Sequence, residues 1–199
     1  MSDLFLDNEV RLSLPRMALT IVQLNASREE VDFLWRYQLA PLLHWNLKIV
    51  AGEWAYFDEN WLEKRVKFLR FSVFYWLSFV PLVGRLLHWF RVGMIERDYR
   101  ALWQFVALLQ QTPEGEREAR VNLWSRVTSL YVTPSGTPLF ELSIGELKRH
   151  AFNPEEVNRV FIEELEPILR PTLLPSGGDM TPEQASDSWR VAMTALRKS

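Results

Sequence analysis

The chain contains no cysteine, three histidines and eight glycines scattered over 199 residues. The first absence excludes a disulfide framework, a thiolate zinc site, an iron–sulfur cluster and a cysteine nucleophile together. His44, His88 and His150 are far apart, and none has the spacing of a metal-binding helix motif, so no metal ligand is assigned. His44 and His88 each sit between a leucine and a tryptophan, which is the setting of a partly buried ring on an aromatic face. The glycines form neither a phosphate loop nor a dinucleotide fingerprint. Ser176-Gly177-Gly178 follows a proline-rich stretch rather than a strand and makes no nucleophile elbow. No cofactor and no catalytic residue follow from these patterns.

Net charge is also low, −2 from 23 basic and 25 acidic residues, which disfavours a global nucleic-acid binder or a disordered acidic chain. The sequence opens Met1-Ser2-Asp3 with Asp7 and Glu9 close behind, without the basic and apolar regions of a secretory signal. The expected compartment is the cytoplasm. The charge is unevenly spread, however. Acids outnumber bases nine to five over residues 1–60, bases outnumber acids eight to three over 61–100, and acids lead thirteen to ten over 101–199. A basic, aromatic middle between acidic flanks suits either contact within the fold or a membrane-directed face.

What is abundant is helix signal. Pro15 can open a helix through Leu24, and Ser27 with Glu30 makes a capping box ahead of Val31, Leu34, Trp35 and Leu39. Asp58 reads as the N-cap of an apolar helix over 59–80, broken at Pro81 and Gly84. Helices are expected over 94–110 and 116–127, and after the caps Ser143 with Glu146, Asn153-Pro154 with Glu156, and Thr181-Pro182 with Gln184. Leu130 to Thr133 and Pro138 to Leu142, joined by Pro134-Ser135-Gly136-Thr137, predict a small hairpin over 129–142 with Pro138 on an edge. Residues 171–180 read as a loop. The fold class is therefore mainly α, a multi-helix bundle in one domain over 1–199, with at most that one hairpin.

A second signal is internal. Glu29-Glu30-Val31, Trp35, Leu39, Pro41-Leu42-Leu43 and Leu47 match Glu155-Glu156-Val157, Phe161, Leu165, Pro167-Ile168-Leu169 and Leu173 without a gap at an offset of 126. Segments 27–47 and 153–173 thus read either as copies of one proline-kinked helix in two related halves or as converged amphipathic helices; two copies at so long a period do not make a solenoid.

Asp3 to Glu9, Ala40-Pro41-Leu42-Leu43, Asn46-Leu47, Ala51-Gly52-Glu53-Trp54 and Phe57-Asp58 with Trp61-Leu62 form a pattern that resembles an uncharacterised family of small bacterial proteins. The resemblance covers residues 3–65 and departs from the family at Gln38-Leu39. It implies a bacterial, helical, intracellular protein and supplies no catalytic residue.

Three functional readings remain. Carboxylates Asp7, Glu9, Glu53, Asp58 and Glu59 could meet for acid–base work, although Asp58 as a cap and Glu59 at a helix start have structural uses. The apolar run from Phe71 to Gly84 is too short to span a bilayer, but with Arg70, Trp76, Arg85 and Trp89 it could lie in a membrane interface; a central core helix is the simpler account. The third reading starts from Glu53, Trp54, Asp58, Glu59 and Trp61, where aromatics that anchor interfaces stand among acids that steer a basic partner. It makes the chain a protein-binding protein without chemistry of its own, and the expected role is neutralisation of a toxin partner in the manner of an immunity protein.

Overall fold

The structure is a computed structural model that describes residues 10–35, 64, 96–150, 152–173 and 180–198. The described residues are helical, with no strand among them. A 3-10 turn, Val10–Ser13, leads into α1 (Leu14–Gln23), followed by α2 (Arg28–Phe33), α3 (Glu96–Gln111), α4 (Glu114–Val132), α5 (Pro138–Arg149) and α6 (Pro154–Val160). α6 runs through a π-helical turn, Phe161–Leu165, into α7 (Glu166–Leu169), and α8 (Pro182–Arg197) ends the chain. Lys64 is helical; the remainder of the expected 59–80 helix and positions 174–179 of the expected loop lie outside the described residues. No helix among the described residues is long and apolar enough to cross a membrane.

The chain divides into two compact units, one of Met1–Val10 and Gln23–Arg100, the other of Arg11–Val22 and Ala101–Ser199. In the first, Ser27 caps α2 as expected: its hydroxyl accepts from the Glu30 amide (3.2 Å) and its own amide donates to the Glu30 carboxylate (2.8 Å). These two bonds, the backbone one foremost, hold the Glu30 carboxyl below its ordinary range. Val31 and Trp35 are buried, and the Tyr99 hydroxyl donates to Asp32.

The second unit is built around α4. Its first turns are polar, with Glu114 and Glu116 favourably placed at the N-terminus. Its last turns, Val127 to Val132, are buried on every face. α5, α8 and the π-helical turn pack against it, and Arg16 of α1 reaches Glu118 (2.6 Å) and Asn122 (2.9 Å) on its polar half. Leu102, Phe105, Val106 and Leu109 of α3 recur at helical spacing in the same core, where Phe105 meets Trp124 with ring centroids 5.4 Å apart.

The expected hairpin over 129–142 is a helix–turn–helix instead. Leu130 to Thr133 form the end of α4, and a helix end covered all round shows the same unbroken apolar run as a buried strand. Gly136 turns the chain at φ +83°, a conformation that disfavours any side chain. Thr137 caps α5 through the Phe140 amide, and Pro138 takes the first helical position, where a missing N–H is harmless. The expected cap at Ser143 is likewise absent: Ser143 lies inside α5, bonded to the Leu139 carbonyl (2.9 Å) and the Ser129 hydroxyl (2.8 Å). The caps at Asn153 and Thr181 are as expected, except that Asn153 accepts from the Glu155 amide (2.9 Å).

The helix after Asn153 does not break at Pro167. A proline inside a helix clashes with the carbonyl four residues earlier. The π-helical turn widens the backbone just ahead of it, with the Glu166 amide bonding back to Phe161, and the helix passes Pro167 within the first turn of α7. The backbone also turns π-helical at Leu34 and Trp35, the positions matching Val160 and Phe161 at the offset of 126.

Candidate functional site

A cleft of about 410 Å³ opens in the second unit along one face of α4, against the segment that joins α5 to α6. Glu116, Ala119, Arg120, Leu123 and Arg126 recur at intervals of three and four, so one helical face supplies that wall. His150, Phe152 and Glu156 supply the other.

The two arginines of the walls are anchored. Arg120 pairs with Glu164, whose second oxygen accepts from Trp124 Nε1 (2.8 Å). Glu164 lies on the π-helical turn with its side chain only 16% exposed. The π-helical turn presents Phe161 to the core while Glu164, three residues on, reaches α4. Arg126 donates from Nε to Glu146 (3.1 Å), and its Nη2 lies 3.3 Å from His150 Nε2. Because a guanidinium can only donate, His150 Nε2 is the acceptor of that contact. The Arg126 guanidinium also lies 6.0 Å from the centre of the Phe152 ring, which tilts against His150. Interlocked pairs of this kind fix rotamers, and a wall with fixed rotamers loses little entropy when something docks on it.

A second polar feature lies in the core. The Tyr131 hydroxyl and the Thr128 hydroxyl, one turn apart on α4, are buried without hydrogen-bond partners among the described residues. Burial pushes the Tyr131 phenol above its ordinary value, helped by the Glu166 carboxylate and opposed by Arg170 and Ser186. Ser186 beside it donates its own hydroxyl to the Pro182 carbonyl (2.8 Å).

Of the residues singled out from sequence, Glu53, Trp54, Asp58, Glu59 and Trp61 lie outside the described residues, as do Arg70, Trp76, Arg85 and Trp89, the carboxylates Asp7 and Glu9, and His44 and His88. His150 is described and lines the cleft. Sequence reasoning passed over Arg120, Arg126, Phe152 and Glu164. Arg120 and Trp124 do stand four apart on one helical face, but their meeting with Glu164, 44 residues away from Arg120, exists only in the folded chain.

The chain belongs to the family described as Domain of unknown function (DUF7079), which matches residues 1–108. Most of the second unit, with the cleft, lies beyond that match. No curated protein and no solved structure matches the chain.

Proposed function

We propose that this protein works by binding another protein and performs no chemistry of its own, and that it neutralises a toxin by occluding it, as an immunity protein does. The observation that carries the binding reading is the pre-formed cleft on α4, with its arginines fixed by Glu164 and Glu146 and with Leu123 and Phe152 between them. A site for acid–base catalysis needs a group whose proton affinity is moved toward the working pH. Among the described residues, the fold moves Glu30 down and Tyr131 up, both away from neutrality. The toxin assignment rests on the acidic, aromatic segment around Glu53, Trp54, Asp58, Glu59 and Trp61, whose composition suits the basic surface of a protein that handles an anionic substrate.

The test is affinity capture from cells of the source organism, followed by titration of the recovered protein. Trp54→Ala should weaken binding mainly by faster dissociation, and Glu59→Lys should slow association most at low salt. Recovery of no specific partner, or turnover of a substrate by the purified chain, would count against the reading. A captured partner without toxic activity would retain the binding function and remove the neutralising one.

A further inference from the structure

α5 buries one face only. Phe140, Ser143, Ile144 and Leu147 are buried, and at about 100° per residue the opposite face runs through Pro138, Leu142, Gly145 and Arg149, all exposed. Leu142 is 57% exposed, and Leu139 on the flank is 44% exposed. Gly145 lies in the helix interior, where glycine is weaker than alanine, yet a Cβ added there would meet nothing within 4 Å. The packing of the chain itself does not call for a glycine at that point. Close approach of another helix does, because the residues at a helix contact set how near the two axes come.

Glu141 and Lys148 stand exposed on one flank of the same face. Seven residues separate them by about 10 Å along the axis, too far for the two to pair with each other. A second copy of α5, laid antiparallel across this face about a two-fold axis level with Ser143 and Ile144, meets each of these features with its complement. Leu142 sets over the second copy's Gly145, and Gly145 receives the second copy's Leu142. Glu141 falls within one helical turn of the second copy's Lys148, and the symmetry repeats that pair. A parallel copy would instead set glutamate beside glutamate and lysine beside lysine.

We propose that α5 is the contact of a symmetric dimer, in which two copies of this chain pair antiparallel with Leu142 on Gly145 and Glu141 beside Lys148. One helix of 12 residues offers less surface than a standard interface, so the dimer forms and separates readily. This inference goes beyond the protein-binding reading and does not rest on it.

The test is sedimentation of the full-length chain from about 10 μM to about 1 mM, the range in which a small interface assembles. The parent should pass from monomer to dimer as concentration rises. Leu142→Glu should weaken dimerisation at least about tenfold. Gly145→Gln should strengthen the helix yet weaken the dimer, two effects of opposite sign that a purely structural role would not produce. Glu141→Lys should weaken the dimer about tenfold, since two attractive pairs become repulsive, and adding Lys148→Glu to it should restore parental association. Circular dichroism of each variant checks that these surface changes leave the fold intact. The assignment is overturned if the parent stays monomeric throughout, if the Leu142→Glu protein dimerises like the parent, or if the double charge reversal associates no better than Glu141→Lys alone.

Discussion

Trp35 and Tyr99 lie ring on ring, centroids 3.7 Å apart and planes within 3° of parallel, while the Tyr99 hydroxyl donates to Asp32. In the other unit Phe161 and Trp189 stack at 4.0 Å and 29°, while Trp189 Nε1 donates to Asn158 (3.3 Å). Trp35 and Phe161 correspond at the offset of 126 residues, and so do Asp32 and Asn158. Each helix thus holds a foreign aromatic in two ways, by a stacked ring and by a side-chain oxygen three residues earlier. The expected stability consequence is large: Trp35→Ala and Phe161→Ala should each cost about 3–5 kcal/mol in urea unfolding. Tyr99→Phe keeps the stack and should cost less, about 1–3 kcal/mol. A Phe161→Ala protein as stable as the parent would show that the stack carries little of the fold.

If the two helices are copies of one ancestral element, each should accept the other's residues. Asp32→Asn retains an oxygen for Tyr99 and is expected to change stability by less than about 1 kcal/mol, whereas Asp32→Leu should lose the bond and the helix's hold on the tyrosine. Grafting residues 154–161 in place of 28–35 should give a folded protein with the parental circular dichroism. A graft that unfolds while Asp32→Asn is neutral would favour convergence of two unrelated helices.

Glu164 serves two donors at once, Arg120 and Trp124 Nε1. Glu164→Ala leaves both without their acceptor in a part-buried setting, so a loss of about 2–3 kcal/mol is expected in chemical denaturation, larger than for an exposed pair such as Arg190 with Asp187. Equal losses from Glu164→Ala and Asp187→Ala would show that burial adds nothing to the pairing.

Tyr131→Phe removes a buried hydroxyl that lies beside Ser186 but makes no close hydrogen bond among the described residues, so it should be neutral or stabilising by up to about 1 kcal/mol. Its pH dependence follows from the raised phenol. The neutral form is favoured in the folded chain, so this contribution is fully present below the ordinary value near 10 and is lost as pH rises through the higher folded value. The parent should therefore lose stability above about pH 10 more steeply than Tyr131→Phe. Identical slopes for the two proteins would mean that the hydroxyl finds a partner in solution.

The local parts of the fold were open to reading from sequence because they depend on neighbours in the chain. Ser27 with Glu30, Asn153 with Pro154 and Thr181 with Gln184 set helix starts through bonds spanning two or three residues. The 130–142 segment misled for the same local reason: β-branched and aromatic residues around Pro134 to Thr137 suit a hairpin until the rest of the second unit covers Leu130, Tyr131 and Val132 from all sides. The cleft was not readable at all. Arg126 gains its significance from Glu146, 20 residues away, and from Phe152 beyond the end of α5, and neither spacing is a motif. The family resemblance and the family match both concentrate on the N-terminal part, and neither carried information about the second unit's site.

The helix α4 changes character along its length, polar from Glu114 to Arg120 and enclosed from Val127 to Val132. Its amide protons therefore form a graded gauge of opening motions. Those of the enclosed turns can reach water only when the whole second unit comes apart, so their exchange with deuterium should slow in step with global stability, and every core substitution should accelerate them together. Those over 116–120 should exchange through fraying that costs far less and answers to the cleft instead, slowing when a protein partner settles there. One uninterrupted helix would then separate, residue by residue, the strength of the fold from the occupancy of its surface.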